Sequence, residues 1–201
     1  MTRIETLFAT KLYRATLDVR RFNKDLEHDC RSIAREDRAG RAWSRKHGYR
    51  GYTSYASLAD LPARSPAFAA LVRHLDRHVG VFVRALDFDL HGRSLRLDSI
   101  WLNVMRTGAV HTAHLHPKSV ISGTYYVVAP PGAAALKLED PRLGLMMAAP
   151  QRKARAAREN QVFVYLQPRA GTLLLWESWL RHEVPFNRSR GERISISFNY
   201  A

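Results

Sequence analysis

Arg193-Ile194-Ser195-Ile196-Ser197-Phe198 alternates polar and apolar residues without a break. A period of two belongs to a strand, so one face carries a guanidinium and two hydroxyls while the other carries Ile194, Ile196 and Phe198. A polar strand face with an Arg on it suits a carboxylate. Upstream, the apolar run Thr172-Leu173-Leu174-Leu175-Trp176 reads as a buried strand, and His182 follows it. Further back stands His114-Leu115-His116. On a strand, residues i and i+2 share a face, so these two imidazoles can hold one metal ion while Leu115 packs behind them. His182, arriving from a distant strand, would close a facial triad and leave three adjacent coordination positions for small molecules.

The pattern elsewhere supports a chain that is mainly β with N-terminal helices, an α+β fold. From Leu95 onward, strands are expected over Ser94 to Met105, Ser119 to Val128, Ala135 to Glu139, Gln161 to Leu166, Gly171 to Trp176 and Arg193 to Tyr200. Pro130-Pro131-Gly132 is a turn. Leu143 to Asn160 lacks a strand pattern and is expected to form a mobile flap over the site. Before Leu95, Thr6 to Leu17 reads as a strand that opens the sheet. Asp18 is a candidate N-cap for a helix to about Arg38, with Phe22, Leu26, Cys30 and Ile33 at helical spacing. Ala39 to Pro62 is rich in aromatics and is expected as an ordered loop. Ser65 then caps a second helix from Pro66 to about Leu86, whose apolar stripe should back the sheet. No internal repeat appears, so a single domain is expected, with a strand and supporting helices over 1–94 and the β core over 95–201.

The stretch from Trp101 to Tyr200 resembles the double-stranded β-helix core of the Fe(II)- and 2-oxoglutarate-dependent oxygenases, in the branch that contains prolyl hydroxylases. The resemblance is carried by His114-Leu115-His116, by His182-Glu183-Val184 and by Arg193. It implies a jelly-roll barrel backed by helices, with Fe(II) held by His114, His116 and His182 and the distal carboxylate of 2-oxoglutarate held by Arg193. Ser119 to Tyr126 resembles the family strand that supplies a Tyr to that carboxylate. Tyr126 takes this role, or Tyr125 if the register differs by one, and Ser195 is a further assistant. Trp101 and Asn103 are placed at the pocket wall or in its packing. The N-terminal half is similar to bacterial oxygenase-like proteins through Leu7-Phe8, Gly51-Tyr52-Thr53-Ser54 and Trp101-Leu102-Asn103. The activity implied is hydroxylation of an unknown substrate, coupled to conversion of 2-oxoglutarate to succinate and carbon dioxide.

One departure from the family pattern stands out: His116 occupies the position of the usual carboxylate, which would make the site three neutral imidazoles. Asp140 is the alternative carboxylate, although it sits at a separate strand end before Pro141. His111, three residues before His114, is expected on the opposite face, at a loop or substrate rim. Other readings stay open at this point. Arg193 could pair with Glu183 or Glu177, and Tyr126 could be ordinary sheet packing. A cupin-like metal-binding barrel without oxygenase activity would also use clustered histidines but needs no carboxylate anchor. A basic nucleic-acid-binding module would make the histidines incidental.

Composition bounds these choices. The 201 residues are 46% hydrophobic and include 10% aromatics, enough for a substantial core. The single cysteine excludes an internal disulfide and agrees with a reducing compartment, so a cytoplasmic location is expected. No apolar run long enough for a membrane span occurs, and no apolar h-region follows Met1. The net charge of +14 would attract an anionic partner, either a polyanion or an anionic substrate. Much of it comes from Arg20-Arg21, Arg31, Arg35, Arg38, Arg41, Arg45 and the cluster Arg152-Lys153-Arg155-Arg158. An Arg-rich bias spread over a solvated surface would account for it equally well.

Overall fold

The computed structural model describes residues 1–17 and 20–201; the candidate cap Asp18 lies outside the described residues. The chain runs β1 (Tyr13–Thr16), α1 (Arg20–Glu36), α2 (Arg38–Lys46), β2 (Gly51–Thr53), α3 (Leu61–Arg64) and α4 (Pro66–Ala85). The remaining strands are β3 (Leu97–Met105), β4 (His111–His114), β5 (Ile121–Val128), β6 (Leu136–Glu139), β7 (Phe163–Leu166), β8 (Thr172–Glu177), β9 (His182–Val184) and β10 (Arg193–Tyr200). They form two antiparallel sheets: six strands in the order β1-β8-β5-β10-β3-β2, and four in the order β4-β9-β6-β7.

The two sheets face each other, and the helices cover the outer face of the larger one. Strand alternation sorts the core accordingly. Tyr125, Leu173, Leu175, Ile194, Ile196 and Phe198 point outward and pack with Leu26, Cys30, Leu71, Leu75 and Phe82 from α1 and α4. Their neighbours Tyr126, Leu174, Trp176 and Met105 point inward and meet Leu136, Leu138 and Val184 of the smaller sheet. The large sheet is therefore buried on both faces, which explains the continuous apolar run in β8. In the centre, β10 pairs with β3 on one side and β5 on the other, so that Ser195 lies between Asn103 and Tyr126.

Helix α4 starts as its sequence requires: Ser65 accepts from the backbone N–H groups of Ala67 and Phe68, and Pro66 occupies the first turn. The segment expected as a loop from Ala39 to Pro62 is instead α2, β2 and the start of α3. Asp37 causes the difference. Its carboxylate caps α2 through the Gly40 N–H at 2.9 Å and also accepts from Tyr52 at 2.8 Å and Ser57 at 2.5 Å, which folds the following segment back on the helix. The strand expected from Thr6 shortens to Tyr13–Thr16, the stretch that pairs with β8. Leu7 and Phe8 are exposed, and Phe8 takes a positive φ of 56° that a strand does not allow. Leu143 to Asn160 does not cover the histidines: it carries two single 3-10 turns and contributes Arg158 and Glu159 to a separate cavity, beside Leu7, Phe8 and Trp179. No helix among the described residues is long and apolar enough to cross a membrane.

Gly123 of β5 is packed closely in the helix-side core: a Cβ there would lie 2.4 Å from Cζ of Phe198 and 2.7 Å from a Leu175 methyl. Gly123→Ala should lower the unfolding free energy by about 1–3 kcal/mol through overpacking, read from urea melts. Wild-type stability in this variant would mean that Phe198 has room to move.

Candidate metal centre

Three imidazoles converge between the sheets. His114 and His182 face each other directly across the β4–β9 pair, with ring centroids 4.4 Å apart. His116 lies 5.1 Å from His114 and 5.3 Å from His182 by the same measure. Their ligating atoms all lie within 4.8 Å of one another. The route to this cluster differs from simple i, i+2 alternation. β4 ends at His114, and His116 sits in the turn that follows, its backbone N–H donating to the Ser178 carbonyl at 3.0 Å. Leu115 does not pack behind the pair but stands 43% exposed beside the cavity.

Two of the three rings are oriented by the backbone. The Nδ1 atom of His114 lies 2.7 Å from the Thr112 carbonyl oxygen and that of His182 lies 2.8 Å from the Leu180 carbonyl oxygen. A carbonyl only accepts, so Nδ1 carries the proton and Nε2 keeps its lone pair for a metal. Burial, then the neighbouring His114, pushes the His116 pKa down to about 4; the same two causes lead in holding His182 down at about 3. Sign and chemistry agree, because a metal binds the neutral imidazole. Trp176 closes the cluster from β8, edge-on to His182 at 4.8 Å. The donor set fits a divalent transition metal with open positions.

The same cavity, about 830 Å³, extends to Arg193. Only 2% of this side chain is exposed. Its Nε donates to the Ala134 carbonyl at 3.2 Å and an Nη donates to Ser195 at 3.1 Å. No carboxylate pairs with it among the described residues. Glu183 is engaged by Lys137 at 2.8 Å, and Glu177 accepts from Trp179 at 3.0 Å. Asp140 is held by Arg142 at 2.8 Å and faces the other cavity, not the histidines. The guanidinium lies 4.9 Å over the ring of Tyr126, whose hydroxyl is buried and has no hydrogen-bond partner among the described residues. Tyr125 points the other way and donates to Asn23 at 2.8 Å. Buried polar atoms without partners also occur at Tyr49 Oη and Asn103 Oδ1, both on residues of this cavity wall.

His111 and Tyr49 depart from the sequence reading. His111 pairs with Val184 and His114 with His182, so β4 spends three residues where β9 spends two. This irregularity undoes the strict alternation and turns His111 inward. It stacks on Tyr49 at 4.9 Å, and its pKa falls to about 3 because it is buried and then because Arg193 is near. Tyr49 carries its hydroxyl into the field of Arg193, which opposes the upward push of burial on its pKa. An aromatic-rich stretch from Trp43 to Tyr55 was visible in the sequence, but with no periodicity to say which ring points where.

Residues 99–199 match a family model described as "Putative 2OG-Fe(II) oxygenase". The chain belongs to this family, whose cofactor is Fe(II) and whose co-substrate is 2-oxoglutarate. No curated protein sequence matches it. Among solved structures, it is similar to a Pseudomonas putida prolyl-4-hydroxylase, with TM-score 0.65 and 17% identity over 97% of this chain and 95% of that one. The epimerase SnoN from nogalamycin biosynthesis aligns with TM-score 0.66 and 14% identity over 95% of this chain and 76% of that one. HygX from Streptomyces hygroscopicus, solved with nickel and 2-oxoglutarate, gives TM-score 0.61 and 16% identity over 96% and 82%. At these identities the likeness is one of fold: helices followed by two facing antiparallel sheets in a double-stranded β-helix.

A buried cation without a counter-charge is costly to the free protein. Arg193→Met should therefore leave the ligand-free protein at least as stable as wild type, by on the order of 1 kcal/mol, in urea melts. A loss of several kcal/mol would show instead that the Ala134 and Ser195 contacts make Arg193 a structural residue.

Proposed function

We propose that this chain is a hydroxylase in which His114, His116 and His182 hold Fe(II) and Arg193 holds the distal carboxylate of 2-oxoglutarate. One observation carries the reading: a buried guanidinium, without an acidic partner among the described residues, shares a cavity with three converging imidazoles. A metal-binding barrel without a carboxylate co-substrate would have no use for that cation. The fold is shared with a prolyl-4-hydroxylase along nearly the whole of both chains, and hydroxylation is the simplest outcome of such a site.

Each residue has a physical task in this reading. Arg193 presents a planar fork that matches a carboxylate, and Ser195 holds one of its arms. The Tyr126 ring beneath the guanidinium orients it, and its unpartnered hydroxyl is a donor for the same carboxylate, as is that of Tyr49. Trp176 screens the His182 side of the metal from water. Bound Fe(II) would supply the oxygen activation that couples decarboxylation of 2-oxoglutarate to oxidation of a substrate C–H bond. His114, His116 and His182, being neutral, would leave a bound metal its full charge and so strengthen its hold on a dianionic co-substrate.

The primary substrate is an anion in this reading. Among the described residues the cavity wall includes His47, Arg50 and the three metal-site histidines but no Asp or Glu. Arg50 is exposed and forms no ion pair with an acidic residue among the described residues. Succinate release should then be stimulated by anionic compounds, and the stimulation should shrink as salt rises. Stimulation confined to cationic or neutral compounds would remove this part of the reading.

The co-substrate role has its own test. Arg193→Lys keeps the charge but loses the fork, so 2-oxoglutarate affinity should fall more than about tenfold, or about 1.4 kcal/mol, while Fe(II) affinity stays within about twofold. Anaerobic titrations of each component, with succinate release as the turnover measure, give both numbers. Unchanged affinity and turnover would take Arg193 out of the site and favour a metal-binding barrel of another kind.

A further inference from the structure

Two of the three imidazoles have partners that permit only one tautomer, and the third does not. Nδ1 of His116 lies 3.3 Å from the side-chain amide nitrogen of Asn199 on β10. An amide offers a donor on one arm and an acceptor on the other. With Nδ2 toward the ring, Nδ1 accepts and the ring proton sits on Nε2, where it blocks the lone pair that a metal needs. With the amide turned over, Oδ1 accepts the Nδ1 proton and Nε2 is free.

The surroundings of Asn199 accept either orientation. Nδ2 donates to Ser99 Oγ at 3.0 Å, and Oδ1 accepts from Ser122 Oγ at 2.8 Å, which lies 2.8 Å from Ser178 Oγ. All three neighbours are hydroxyls, able to donate or accept. After turnover the Ser99 hydroxyl would donate to Oδ1, Nδ2 would donate to Ser122, and Ser122 would donate on to Ser178. No buried polar group loses its partner. Ser122 and Ser178 are buried, at 1% and 0% exposure, so bulk water does not take over these contacts.

We propose that Asn199 is a positioning residue for the metal centre, turning its amide to switch His116 from the Nε2–H tautomer to the metal-binding Nδ1–H tautomer. The inference rests on the three-histidine reading above. The ring gives up the proton on Nε2 and takes one on Nδ1, so its net protonation does not change.

Ring-nitrogen chemical shifts of His116 in 15N-labelled protein read the tautomer directly, without and with Zn(II). The wild type should show Nε2–H without metal and Nδ1–H with Zn(II) on Nε2. Asn199→Asp offers only acceptors and should show Nδ1–H in both states. In Co(II) titrations, Asn199→Leu should bind roughly 10- to 100-fold more weakly with altered visible bands, and Asn199→Asp should recover both. Identical His116 shifts in metal-free wild type and metal-free Asn199→Asp would overturn the proposal even if Asn199→Leu fails to fold. Co(II) binding by Asn199→Leu with wild-type affinity and spectrum would overturn it alone. A wild type that binds neither Zn(II) nor Co(II) would overturn the three-histidine reading and this proposal with it.

Discussion

The register of β10 is the constraint on which the site depends. Ile194, Ile196, Phe198 and Tyr200 are fully buried against the helices on one face of this strand. A slip of one residue would send all of them into the barrel and turn Arg193, Ser195, Ser197 and Asn199 toward the helices. Burying four such side chains the wrong way round costs far more than any contact inside the site returns. Hydrophobic packing outside the barrel thus holds the polar row inside it. Arg193 and the amide of Asn199 behind His116 both stand on that row, at opposite ends of one strand.

The smaller sheet contributes the other half by a different principle. β4 and β9 are short, four and three residues, and neither is fixed by a long apolar stripe. Their histidines are oriented instead by hydrogen bonds within two residues of the ring, from His114 to Thr112 and from His182 to Leu180. Local bonds of this kind survive small movements of the sheet, since ring and partner move together. The histidine cluster is therefore organised locally, and Arg193 globally. The cavity lies where the two meet.

Electrostatically the site is unusual for a protein interior. The three converging side chains are all imidazoles with no carboxylate among them, and Arg193 adds a buried positive charge without an ion-pair partner among the described residues. Burial keeps His111, His116 and His182 neutral, so the cavity combines the fixed cations Arg193, buried, and Arg50, at its rim, with a set of lone pairs. Such a cavity is poised for anions and for a divalent metal, and its field is satisfied by ligands rather than by the fold.

Much of this was legible in the chain because periodicity reports faces. The two-residue alternation of Arg193 to Phe198 identified the strand and sorted Arg193 and the apolar row onto opposite faces, and the Ser65-Pro66 start of α4 follows from capping chemistry alone. The same reading placed His114, His116 and His182 in one group by order and spacing. What periodicity could not supply was anything that breaks it. The extra residue between His111 and His114 turns His111 inward, and only pairing with β9 reveals it. Tyr49 belongs to a segment without a repeat, and Asp37 organises that segment through contacts with Gly40, Tyr52 and Ser57. Asn199 could be assigned to the polar face of β10 from sequence, yet its placement behind His116, 83 residues away, is a product of tertiary folding. Local sequence determines which way a side chain faces along its own strand; which other side chain waits there is decided by how distant strands pair and bulge.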